Sequence, residues 1–143
     1  MELTPVMDPE ALNRFLETDF PQLHTDGKVF EVVDVSPGSV VMRLMPNERH
    51  LRPGGTVSGP TLFALADVGA YCAVLAHIGP VALAVTTSLN INFLRKPKPG
   101  PLTCTCRLLK LGKRLAVMEA SIFDEDADDL VAHATATYSI PPR

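Results

Sequence analysis

Apolar positions along this chain switch between a helical and a strand period, and the switches mark the elements. Asp8-Pro9-Glu10 offers an N-cap, a proline at the first helical position and an acid in the first turn. Leu12, Phe15 and Leu16 then supply one apolar face, so a short amphipathic helix is expected to end near Asp19, before Pro21. Val29 to Val35 reads as a strand, Ser36-Pro37-Gly38 as a turn and Val40 to Met45 as a second strand, together a hairpin. Pro46 to Gly59 is the longest irregular connection, of the sort that often carries function. Pro60 to about His77 is the main helix, apolar on every side except at Asp67 and therefore expected to be enclosed; Gly79-Pro80 stops it. Four strand patterns follow: Ala82 to Leu94, with Thr86, Thr87, Ser88, Asn90 and Asn92 as polar positions; Leu102 to Lys110, with a turn at Gly112-Lys113; Leu115 to Phe123; and Leu130 to Ile140. Six strands around one long helix, preceded by a short one, predict an α+β architecture in which an antiparallel sheet wraps the helix.

At 143 residues the length prior is one domain, residues 1–143, large enough to bury a real core; no repeat, low-complexity run or linker divides it. A net charge of −3 and a pI of 5.7 give a nucleic-acid role no electrostatic support. Met1 to Pro5 has neither a basic nor an apolar region, so no signal peptide is read there. The apolar run Pro60 to Ala76 fits a buried core helix better than a bilayer crossing, and no membrane partner is expected. Three cysteines, Cys72, Cys104 and Cys106, lack metal spacing and read as reduced, buried thiols, which points to the cytoplasm.

The chemistry concentrates between Arg52 and Val74, where a Gly/Pro/Ser loop runs into the apolar helix. Asp67 is the one charge in that helix, and a carboxylate in apolar surroundings is costly unless paired or used. The helix N-terminus upstream offers free N–H groups and a positive dipole end. A base and an oxyanion binder in one element suggest acyl chemistry. Pro60 has no N–H to give, which makes the Gly59 amide the main donor of the turn. Ser58 reads as the N-cap, with a catalytic hydroxyl as the alternative. Arg52 reads either as a partner for Glu48 or as a substrate contact. His24, His50, His77 and His133 show no ligand spacing, so neither metal nor cofactor is expected. Asp124 to Asp129 imitates the start of a calcium loop, but Asp129 replaces its glycine and Thr135 its glutamate; it reads as a hairpin turn.

The element order, with Gly55-Thr56-Val57-Ser58-Gly59-Pro60 followed by Leu62-Phe63-Ala64-Leu65-Ala66-Asp67, resembles the hotdog-fold thioesterases, specifically the phenylacetate-degradation-type (PaaI-like) acyl-coenzyme A group. Leu89-Asn90-Ile91-Asn92-Phe93-Leu94-Arg95 and then Pro97 resemble the family's central strand and its exit, and the likeness runs from about Val29 to Ile140. Ser58 stands where the family usually has His, Pro60 where it has a second Gly, and Arg52 where many members carry Asn or Gln. The resemblance implies a base at Asp67, an oxyanion amide at Gly59, and at Thr86 a hydroxyl that places the attacking water.

Asp67 lies seven residues beyond Pro60, about 10 Å along the axis, too far to meet a carbonyl held at its own helix N-terminus. The expected site is therefore shared between two antiparallel copies, in a homodimer or a dimer of dimers. Arg95, Lys96 and Lys98, with Lys113 and Arg114, are the cations expected to take coenzyme A phosphates; Phe63 and Tyr71 are expected to wall the acyl pocket. The expected activity is hydrolysis of an acyl-coenzyme A to acid and coenzyme A. A non-catalytic acyl-coenzyme A binder and a hotdog hydratase or dehydratase remain as alternatives.

Overall fold

The computed structural model describes residues 3–25 and 27–143, so Met1 and Glu2 of the stretch read for a leader lie outside it. The elements run α1 (Pro9–Asp19), β1 (Phe30–Ser36), β2 (Ser39–Leu44), α2 (Gly59–Ile78), β3 (Val85–Phe93), β4 (Leu102–Leu111), β5 (Leu115–Asp124) and β6 (Asp129–Ser139), with short 3₁₀ turns at Pro21–His24 and Glu48–His50. All strands join one antiparallel sheet in the order β1-β2-β4-β5-β6-β3, wrapped around α2. The expected α+β architecture is the one observed.

Local chemistry explains the boundaries. Asp8 caps α1 by accepting from the Ala11 N–H at 2.8 Å, and Pro9 follows it. Gly79 ends α2 with a φ of 96°, a conformation open to glycine, while its N–H closes on the Leu75 carbonyl at 2.9 Å. In β4, β5 and β6 alternate residues point inward: Leu102, Cys104 and Cys106; Ala116, Met118 and Ala120; Ala132, Ala134 and Ala136. The three thiols are unpaired and buried, and burial pushes Cys72 well above the ordinary thiol range.

Small residues set how closely α2 approaches the sheet. At Gly69 a Cβ would stand 2.7 Å from the Cys106 sulfur and 3.4 Å from that of Cys104, so helix backbone lies directly on β4. At the outer strand β1, Asn13 of α1 closes the sheet edge. Its Nδ2 donates to the Val32 carbonyl at 2.9 Å and its Oδ1 accepts from the Val32 N–H at 2.8 Å.

Two expectations need correction. The third strand starts at Val85, not Ala82, because Val81 to Ala84 form a turn closed by the Ala84 N–H on the Val81 carbonyl at 3.1 Å. Nor is α2 enclosed all round: Gly59, Ala64 and Asp67 are half-buried, and Pro60 and Phe63 are exposed. This open stripe lies where the sheet ends at β3, whose free edge is flanked by exposed Val85, Phe93 and Leu94.

Gly69→Ala should destabilise the fold. Overpacking costs about 1–3 kcal/mol, of which helix propensity returns about 1 kcal/mol. The midpoint of urea unfolding should therefore fall with an unchanged slope.

Candidate active site

The loop before α2 folds on two left-handed glycines. Arg52 to Thr56 form a tight reversal in which the Arg52 N–H donates to the Thr56 carbonyl and the Gly55 N–H to the Arg52 carbonyl, both at 2.9 Å. Gly54 and Gly55 have φ of 101° and 81°, which L side chains rarely adopt. Leu51 bridges to Val57, and the Val57 N–H reaches the Pro97 carbonyl at 2.9 Å, tying the loop to the exit of β3. The Ser58 hydroxyl is the N-cap: Oγ accepts from the Thr61 N–H at 3.4 Å and shares a 2.8 Å bond with Thr61 Oγ1. His50 is spent in the same way, its Nδ1 accepting from the Asn47 N–H at 2.9 Å. The Gly59 N–H, in contrast, meets no acceptor among the described residues. The Phe93 ring lies over its α-carbon, 3.4 Å from where a Cβ would stand.

Two turns on, Asp67 opens into a pocket of about 270 Å³ walled by Phe20, Val68, Tyr71, Ala82, Ala84, Thr86 and Tyr138, with Asp19 also lining it. Asp67 Oδ1 accepts from the Thr86 hydroxyl at 2.6 Å and from the Tyr138 hydroxyl at 2.7 Å. Oδ2 has no donor among the described residues. Burial first, and the Asp67 charge second, hold the Tyr138 hydroxyl far above the ordinary tyrosine range, so it stays a donor at any working pH. Tyr71 donates to the Ala82 carbonyl at 2.9 Å, packs edge-on against Phe20 and is pushed up to about 12, mainly by burial. The arrangement presents one free carboxylate oxygen to a partly apolar cavity, which suits a general base.

The structure thus joins Asp67 with Thr86 and Tyr71. It does not join them with the other predicted site residues within one chain. Phe63 lies on the open stripe a turn before Asp67, exposed and outside the lining of the pocket. Arg52 is exposed on its turn, with no ion pair to Glu48 or any other described residue. Arg95, Lys96 and Lys98 line a separate cleft of about 510 Å³ shared with Asp124 and Asp129; Arg95 stands 4.0 Å from Asp129. Lys113 and Arg114 occupy the β4–β5 turn at the opposite end of the sheet, where the Arg114 Nε bonds the Ile140 carbonyl at 3.2 Å. Asp124 Oδ1 accepts from the N–H groups of Asp126 and Ala127, as a hairpin turn requires.

Sequence reasoning missed Tyr138. The available signal was an inward-facing tyrosine at the end of an alanine row, since a buried tyrosine hydroxyl needs a partner and α2 offers one charge.

Known proteins extend these observations. The family model described as the thioesterase superfamily matches residues 54–135. An inferred thioesterase of Silicibacter sp. TM1040 is 50% identical, with a TM-score of 0.88 over 98% of this chain and 96% of that one. A mutant of the phenylacetic acid degradation protein PaaI from Thermus thermophilus is 25% identical, with a TM-score of 0.69 over 90% of this chain and 99% of that one. An inferred esterase of Saccharolobus solfataricus is 36% identical over 66% of this chain; the match spans 61% of that relative's length. The matched segment carries both the Gly59 turn and Asp67, and the sheet-wrapped helix is the fold of these neighbours: the chain belongs to the thioesterase superfamily, in its hotdog, PaaI-like form.

Proposed function

We propose that the protein is a homodimeric acyl-coenzyme A thioesterase with two sites, each built from Gly59 of one copy and Asp67 of the other. One observation carries this reading: a single helix bears an N–H at its start that meets no acceptor among the described residues and an oriented carboxylate two turns later, both on its open stripe. Gly59, Phe63 and Asp67 recur every four residues and so share a face. Antiparallel pairing of two β3 edges about the strand's middle brings the Thr86 end of one copy to the Phe93 end of the other. Asp67 then faces the partner's Gly59, with Phe63 between them. The same pairing brings Arg95, Lys96 and Lys98 of one copy toward Lys113 and Arg114 of the other, so both clusters flank one site and can receive phosphates. Arg52 rides on the loop that carries Gly59.

In that site the thioester carbonyl accepts from the Gly59 N–H at the positive end of α2. Asp67 Oδ2 removes a proton from water as the water oxygen bonds the carbonyl carbon. The tetrahedral oxyanion rests on Gly59 until the C–S bond breaks; Asp67 returns the proton to the leaving thiolate. Thr86, whose O–H donates a hydrogen bond to Oδ1, keeps lone pairs for the attacking water. Unpaired buried thiols favour a reducing, cytoplasmic setting.

Thiol release from short, medium, long and aromatic acyl-coenzyme A thioesters should reveal turnover that falls by about a hundredfold or more in Asp67→Asn, the scale of a lost general base. Retained ligand with no turnover across the panel would favour the binding protein instead. The shared site has its own test. Gly59→Pro removes the N–H at a helical position that tolerates proline. Co-expressed with Asp67→Asn, it should restore about a quarter of wild-type activity, because half of randomly paired dimers are mixed and each of those has one intact site. No recovery would place both groups of each site in one chain.

A further inference from the structure

We infer that Tyr138 is a positioning residue for the hydrolytic step, acting with Thr86 to fix which oxygen of Asp67 takes the proton. This rests on the reading of Asp67 as the base.

Three observations converge. Thr86 and Tyr138 are direct cross-strand partners in the β3–β6 ladder, so their side chains leave the sheet together. A register shift falls between Thr86 and Ser88, and such bulges re-aim side chains beside sites. Both hydroxyls end on the same atom, Asp67 Oδ1, at 2.6 and 2.7 Å. One donor would leave the carboxylate free to pivot about it. Two donors arriving from separate strands define the carboxylate plane and occupy Oδ1, and Oδ2 alone is left for water.

A purely structural role would look different. The Tyr138 hydroxyl lies 2.9 Å from the Asp67 backbone carbonyl, and that acceptor alone would satisfy a buried phenol. The shorter approach goes to the carboxylate. The residue is 2% exposed and its ring packs tilted against that of Tyr71, centroids 6.3 Å apart, which holds it in place. The phenol proton is not given up, as burial and the neighbouring carboxylate oppose its loss. Tyr138 therefore transfers no proton itself; it acts through Asp67.

Tyr138→Phe removes the hydroxyl and keeps the ring. On the best substrate of the wild-type enzyme, kcat should fall about tenfold, the effect of one lost hydrogen bond to a charged group, while KM stays within about twofold. Placed on top of Asp67→Asn, the same change should lower kcat no further, because a residue acting only through Asp67 has nothing left to position. Melting temperature and circular dichroism should show Tyr138→Phe folded, and Thr86→Val, which also removes the proposed contact to water, should lower kcat at least as far from the β3 side. An unchanged kcat, a rise in KM at constant kcat, or a loss that multiplies with Asp67→Asn would each overturn the inference. Wild-type protein that turns over no thioester overturns the base assignment first, and this inference with it.

Discussion

Everything in this structure hangs on how near the α2 backbone comes to the sheet. At Gly69 there is no room for even a methyl group above the sulfurs of Cys104 and Cys106. Other buried residues of both elements are also small: Ala66, Ala70 and Ala73 on the helix, Ala132, Ala134 and Ala136 on β6. Interiors are packed to near crystalline density, so the distance is set by these volumes and is not adjustable. The hydroxyls of Thr86 and Tyr138 are short levers on β3 and β6, and they reach Asp67 only because the helix has been drawn down to them. A bulkier seam would lift the carboxylate away from both donors while leaving the fold recognisable.

The same helix serves two electrical purposes. Its first turn exposes an N–H whose acceptor must come from outside the described residues, at the end where the peptide dipoles sum to a positive charge. Eight residues later it carries a carboxylate, where the dipole's influence has faded and side-chain donors take over. Separation along a rigid rod keeps the acid from quenching the amide. On the proposed mechanism, one chain holds each half of the chemistry in the wrong place to use both, and that reading therefore calls for a second copy.

Much of this was legible in the sequence, and the limits have physical causes. Caps and stops are local chemistry, so Asp8-Pro9, Ser58-Gly59-Pro60 and Gly79 placed both helices closely. Inward alternation along most of their length placed β4, β5 and β6. Val81 to Ala84 are apolar and continue the strand pattern, yet they turn, because the Tyr71 hydroxyl holds the Ala82 carbonyl to the helix and the Ala84 N–H closes on the Val81 carbonyl. The openness of α2 along Phe63 was illegible, since an apolar side chain reads alike whether covered by the same chain or left for another surface. Asp67 and Thr86 were legible as types. Their meeting with Tyr138 depended on the register between two strands far apart in sequence, which no single strand encodes. The cations were visible, but not that they divide between opposite ends of the sheet.

The two edges of the sheet are unlike, and the difference lies in Asn13. Its side-chain amide is a peptide group in miniature, and by taking both the N–H and the carbonyl of Val32 it plays the part of a neighbouring strand. The β3 edge has no such stopper among the described residues. If both were open, β3 of one molecule could add to β1 of the next, and head-to-tail growth has no natural end. With Asn13 on β1 at its Val32 position, the proposed β3–β3 pairing meets no competing open edge there, and a pair joined that way would have used up its last one.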